Sequence, residues 1–152
     1  MPHLRLEVPE EWLADEFVRE TGFDARRLLD HLVEVVTSLR MESGASGEFQ
    51  EVPLINRKNL KHALVPVRHS GVGGDLSKGF LHLTFSAGND TPGRTAAVRR
   101  RAAETLGEAI DTFAGNLPGL ASVTVHVLDI DRERGYSTTA ERKKTRLERG
   151  SG

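Results

Sequence analysis

The chain repeats one order of patterns twice: a run alternating apolar and polar residues, a long run with apolar residues at helical spacing, then a second alternating run. In the first half Leu4, Leu6 and Val8 fall on one side of a predicted strand over residues 3–8, and His3, Arg5 and Glu7 on the other, with Pro9 ending it. Asp24 is placed to cap a helix running to about Met41, through Leu28, Leu32, Val35, Val36 and Leu39. A strand over about 61–68 follows, and Pro66, which cannot donate to a ladder, sends it to a sheet edge. In the second half GFLHLTFSAG alternates, with Leu81, Leu83 and Phe85 opposite Phe80, His82 and Thr84. A helix starting near Pro92 or Thr95 carries Val98, Ala102, Leu106, Ile110 and Phe113, and stops before Pro118 and Gly119. SVTVHVLDID then alternates again, with Val123, Val125 and Val127 opposite Thr124, His126 and Leu128.

Two strand–helix–strand units need two parallel strand pairs with right-handed crossovers. Set side by side they predict an α+β fold, a four-stranded mixed sheet with both long helices on one face. At 152 residues and 38% hydrophobic content, the chain suffices for one such domain. Residues 10–20 carry a short helical pattern through Trp12, Leu13, Phe17 and Val18, closed by Gly22. SGASGEFQEVPLIN and SGVGGDLSKG read as loops. The second has glycines but precedes a strand, which argues against a phosphate loop, since that motif must open a helix. The uncovered sheet face, with His3, Arg5, Glu7, His82, Thr84 and His126, is too polar for a second layer of helices. It is expected to face a wet channel or neighbouring subunits.

The balance of 21 basic and 22 acidic side chains leaves a net charge of −1, which gives no global attraction to nucleic acid or to a membrane surface. The run Arg99, Arg100, Arg101 reads as a solvated helix face. Without cysteine, thiolate nucleophiles and cysteine-ligated zinc are excluded. No stretch has the length of apolar residues needed to span a bilayer, and the first residues lack a secretion signal, so a cytoplasmic location is the expectation.

MPHLRLEV at the start, GFLHLTFSAG followed by GRTAAVRRRAAETLGEAI, and the closing SVTVHVLDID, set in a body of two βαβ units, resemble the tautomerase superfamily. Within it they are most similar to the 5-carboxymethyl-2-hydroxymuconate isomerases. The resemblance covers most of residues 2–137. It implies a tautomerase-like domain over 1–137, a homotrimer whose sheets form a central barrel, and a mature chain beginning at Pro2 once Met1 is removed. The remainder, 138–152, is charged and almost devoid of apolar residues, which predicts disorder. The stretch around Tyr136, just before it, is expected to pack on a neighbouring subunit.

A proline at a chain terminus carries a free secondary amine. An α-amino group titrates at roughly 7.7–8.0 in water, and desolvation or nearby cations push that value down, leaving it unprotonated as a general base must be. The resemblance therefore implies a cofactor-independent isomerase of aromatic catabolism, in which Pro2 moves a proton within an unsaturated 2-oxo or 2-hydroxy carboxylate. No metal is called for. Cations must hold the substrate carboxylates, and the expected substrate-binding residues are Arg94, in the loop before the second long helix, Arg57 or Lys61 ahead of the second strand, and His3 beside the base. In the family's topology the first and third strands run antiparallel, which sets His3 and His82 near opposite ends of the sheet and brings His82 near Glu7. Two alternatives accompany this reading: a hydratase or dehalogenase using protonated Pro2 as an acid, and a non-enzymatic trimeric binding module.

Overall fold

A computed structural model describes residues 2–43, 50–88 and 93–130, together with residues 147, 148 and 150. Along the chain run β1 (His3–Pro9), a 3-10 turn (Glu10–Leu13), α1 (Asp15–Thr21), α2 (Ala25–Ser38), β2 (Arg40–Ser43) and β3 (Gln50–Pro53). A second 3-10 turn (Arg57–Asn59) leads to β4 (Lys61–Val67), β5 (Gly79–Gly88), α3 (Ala96–Ala114) and β6 (Leu120–Ile130).

The main sheet has the order β4-β1-β5-β6. β1 pairs with β4 in parallel and β5 with β6 in parallel, while β1 and β5 run antiparallel where the two βαβ units meet. The mixed sheet and its paired crossover helices are thus as expected, and β4, with Pro66, lies at the edge. The core forms where the alternation of the strands meets the helical stripes. Leu4, Leu6, Val8, Leu81, Leu83 and Phe85 are essentially inaccessible, as are Leu28, Leu32 and Val36 of α2 and Leu106 and Ile110 of α3. Each such side chain contributes about 1.5–3 kcal/mol through burial, so this seam dominates the stability.

Local chemistry sets the element ends. The Asp24 carboxylate accepts from the Arg26 amide at 2.9 Å and starts α2. Thr95 caps α3 by accepting from the Val98 amide. Gly22 ends α1 at φ +73°, a left-handed conformation suited to glycine. The helical pattern over 10–20 is broken at Ala14, whose ψ of 141° separates the 3-10 turn from α1.

Two expectations need correction. α2 stops at Ser38, not near Met41, because Leu39 turns extended at ψ 138°. Met41 is buried, but as part of a strand: Arg40–Ser43 and Gln50–Pro53 form a hairpin within the stretch read as a loop. Leu39, the last residue at helical spacing, instead leads into that hairpin, its carbonyl accepting from the Leu54 amide at 2.9 Å.

On the uncovered face, Glu7 Oε2 lies 3.7 Å from His82 Nδ1, and the rings of His82 and His126 meet edge to face at 4.9 Å. The register pairs His3 with Ser86 and Glu7 with His82, so the two histidines of β1 and β5 sit at opposite ends of the strand pair. Among the described residues, no helix is long and apolar enough to cross a membrane. The expectations for Tyr136 and for the tail over 138–152 lie outside the described residues, 147, 148 and 150 apart.

Candidate active site

Pro2 immediately precedes β1 and is buried. Its carbonyl accepts a hydrogen bond from the Lys61 amide at 3.0 Å, one step before the parallel ladder opens with His3 opposite Lys61. On its other side β1 begins against the end of β5, where His3 faces Ser86, and the last residues of β5, Ala87 and Gly88, pair with Asp129 and Ile130 of β6. One end of the sheet therefore gathers the start of two strands and the finish of two others around Pro2.

A cavity of about 570 Å³ opens on the polar sheet face at this end. His3, Arg5, Lys61, His62, Thr84 and Ser86 line it, and among the described residues no carboxylate does. The Lys61 side chain has no ion pair among the described residues, and Arg5 approaches Glu7 only at 3.4 Å. Among the described residues the cavity is thus lined by one unpaired cation, Lys61, and by one, Arg5, that is paired with Glu7 just outside it. The same field acts on His3, whose pKa lies below its ordinary value because burial disfavours the imidazolium and the Lys61 ammonium repels it.

The expected site residues are only partly brought together. His3 and Lys61 share the cavity. Arg57 lies apart from it, with its guanidinium forked onto Glu34 of α2 at 2.5 and 3.0 Å, and that pairing holds the Glu34 carboxyl below its usual range. Arg94 does not line the cavity. Its Nε and Nη2 donate to the Leu54 carbonyl at 3.1 and 2.8 Å, and its Nη1 donates to the Gly88 carbonyl at 2.7 Å.

The arginine run that follows is not simply a solvated face. Arg99 pairs with Asp129 at 3.1 Å and donates to the Arg94 carbonyl at 2.8 Å, while Arg101 donates to the Arg40 carbonyl at 2.6 Å. These residues reach across to other elements because the first turns of α3 lie beside the β2–β3 hairpin and the end of β6.

Sequence reasoning placed Arg5 on the polar face but did not make it a site residue. The available signal was its two-residue spacing from His3, which keeps both side chains on one side of β1.

No protein-family model matches the chain, and no curated protein matches its sequence. Solved structures do match it over nearly its whole length. A 5-carboxymethyl-2-hydroxymuconate delta-isomerase superposes with a TM-score of 0.64 at 19% identity, covering 95% of this chain and 93% of that one. The fold is that of the tautomerases.

Pt0534, solved after inactivation by 2-oxo-3-pentynoate, matches with a TM-score of 0.59 at 16% identity over 90% of this chain and 93% of its own. A fused 4-OT symmetric trimer gives 0.58 at 12% identity, with the same two coverages. In this tautomerase fold the chain's own residues set the start of β1 beside a cation-lined cavity.

Proposed function

We propose that the protein, with Met1 removed, is a cofactor-independent isomerase that moves a proton within an unsaturated 2-oxo or 2-hydroxy carboxylate of the 5-carboxymethyl-2-hydroxymuconate class. The observation that carries this reading is that Lys61, whose amide bonds the Pro2 carbonyl, and His3, the next residue along, both line a cavity of cations and imidazoles, although Pro2 itself does not line it. The Pro2 amine takes the proton from the dienol oxygen, the electron pair shifts along the conjugated system as a dienolate, and the same proton is returned to a distant carbon. No electrons are gained or lost, and one group suffices as base and then as acid.

Lys61 is the carboxylate-holding cation in this scheme, preferred to Arg57 because Glu34 already occupies the Arg57 fork. Its ammonium also favours the neutral amine at Pro2, and burial acts in the same direction. Both effects oppose a protonated Pro2, which favours the base over the acid required of a hydratase or dehalogenase. His3, kept neutral, supplies a hydrogen-bonding group beside the substrate. Arg94, bonded to the Leu54 and Gly88 carbonyls, lies outside the cavity lining and holds no carboxylate in this scheme.

The active form in this proposal is a homotrimer. Support comes from the polar, structured face opposite the helices and from the trimeric assembly of the fused 4-OT relative in fold. Ketonisation of a 2-hydroxymuconate-type dienol, followed by ultraviolet absorbance, tests the activity. Acceleration by protein beginning at Pro2 is expected, and no acceleration of any such dienol would refute it.

A further inference from the structure

The guanidinium of Arg94 spans two separate pieces of main chain. Leu54 follows β3 and continues the hairpin by donating its amide to the Leu39 carbonyl at 2.9 Å, whereas Gly88 is the last residue of β5. Both carbonyls face the one planar fork, two of its nitrogens on Leu54 and a third on Gly88. A guanidinium offers fixed, diverging donors that a lysine ammonium does not reproduce. The backbone around Arg94 is held in turn. Gly93, at φ +92°, passes so close to the hairpin that a Cβ there would lie 2.6 Å from the Glu42 carbonyl oxygen, and Arg99 fixes the Arg94 carbonyl while pairing with Asp129.

Gly88 lies two residues beyond Ser86, the partner of His3, so what fixes the end of β5 also fixes the start of β1. We propose that Arg94 is a positioning residue, clamping the hairpin to the end of β5 and thereby setting the start of β1 beside the cavity, and that it does not hold the substrate carboxylate. This rests on the isomerase reading for its effect on rate, but the clamp itself is measurable without turnover.

Arg94→Lys keeps the charge and loses the fork, and Arg94→Met loses both. With a 2-hydroxymuconate-type dienol, both variants are expected to lose on the order of 10–100-fold in kcat, as a displaced base does, with KM changed by no more than about threefold. In ligand-free protein, amide hydrogen exchange is expected to rise in segments 52–56 and 86–88 for both variants. A large rise in KM, recovered by Arg94→Lys, with exchange unchanged, would overturn the clamp.

The wild-type chain supplies a check that survives misfolding of either variant. The Arg94 Nε–H is expected to be slow to exchange in free protein and to keep its NMR position when an unsaturated dicarboxylate saturates the site. Rapid exchange, or a large displacement on binding, would contradict the proposal. Should wild-type protein turn over no dienol, the isomerase reading falls, and the exchange data alone decide whether Arg94 joins the two segments.

Discussion

Lys61 and Pro2 are joined through their backbones, the Lys61 amide donating to the Pro2 carbonyl at 3.0 Å, so the cation that heads β4 is fixed to the residue just ahead of β1. This is a consequence of parallel pairing. The crossover through α2 returns the chain to the same end of the sheet, and the first residue of β4 meets the first of β1 without any sequence proximity.

Removing that charge separates two effects. Lys61→Met is expected to raise KM for an anionic dienol by about 10-fold, the cost of one charged contact. It should also move the rising limb of the pH–rate profile to higher pH, since the Pro2 amine loses a neighbour that disfavours its protonation. Arg57→Gln, which breaks a pair exposed at the surface, should change neither. Equal kinetics for the lysine variant and wild type would remove Lys61 from the site.

His3 gives a second pH signature. Burial and then Lys61 lower its pKa below 6.5, so the unfolded chain takes up a proton more readily than the folded one. Stability should therefore fall as pH drops through 6.5 towards the lower folded value, and change no further on this account below it. Denaturant midpoints measured across this window should fall less steeply for His3→Gln than for wild type.

Gly79 tests the packing that seats β5. A Cβ there would run into the indole of Trp12, itself stacked on Phe17 with ring centroids 5.5 Å apart. Gly79→Ala is expected to cost about 1–3 kcal/mol by overpacking, read from chemical denaturation. In the opposite direction, Leu83→Ala empties a fully buried site between sheet and helices and should cost about 2–5 kcal/mol.

The sheet was legible because period-two alternation in β1, β5 and β6 and the helical stripes of α2 and α3 report burial, and burial is what the fold imposes on these residues. The hairpin of Arg40–Ser43 and Gln50–Pro53 was not, since four-residue strands carry too few alternations, and Leu39, next to it, continues the helical spacing of Leu32 and Val36. At the candidate site, His3 and Lys61, which share the cavity, could be named from local pattern and resemblance. Their division from Arg57 depended on Glu34, 23 residues away, and the partners of Arg94 are carbonyls, which every residue possesses and no sequence pattern marks.

The proposed chemistry depends on a free secondary amine at Pro2, and blocking that nitrogen tests it most directly. Protein whose chain begins at Pro2 should be compared with protein in which Met1 or an added residue acylates the Pro2 nitrogen, each verified by intact mass, in dienol ketonisation. The free form is predicted to accelerate ketonisation and the acylated form, equally folded, to lose at least about 100-fold, within the range removed with a general base. Equal rates from the two forms would contradict the account.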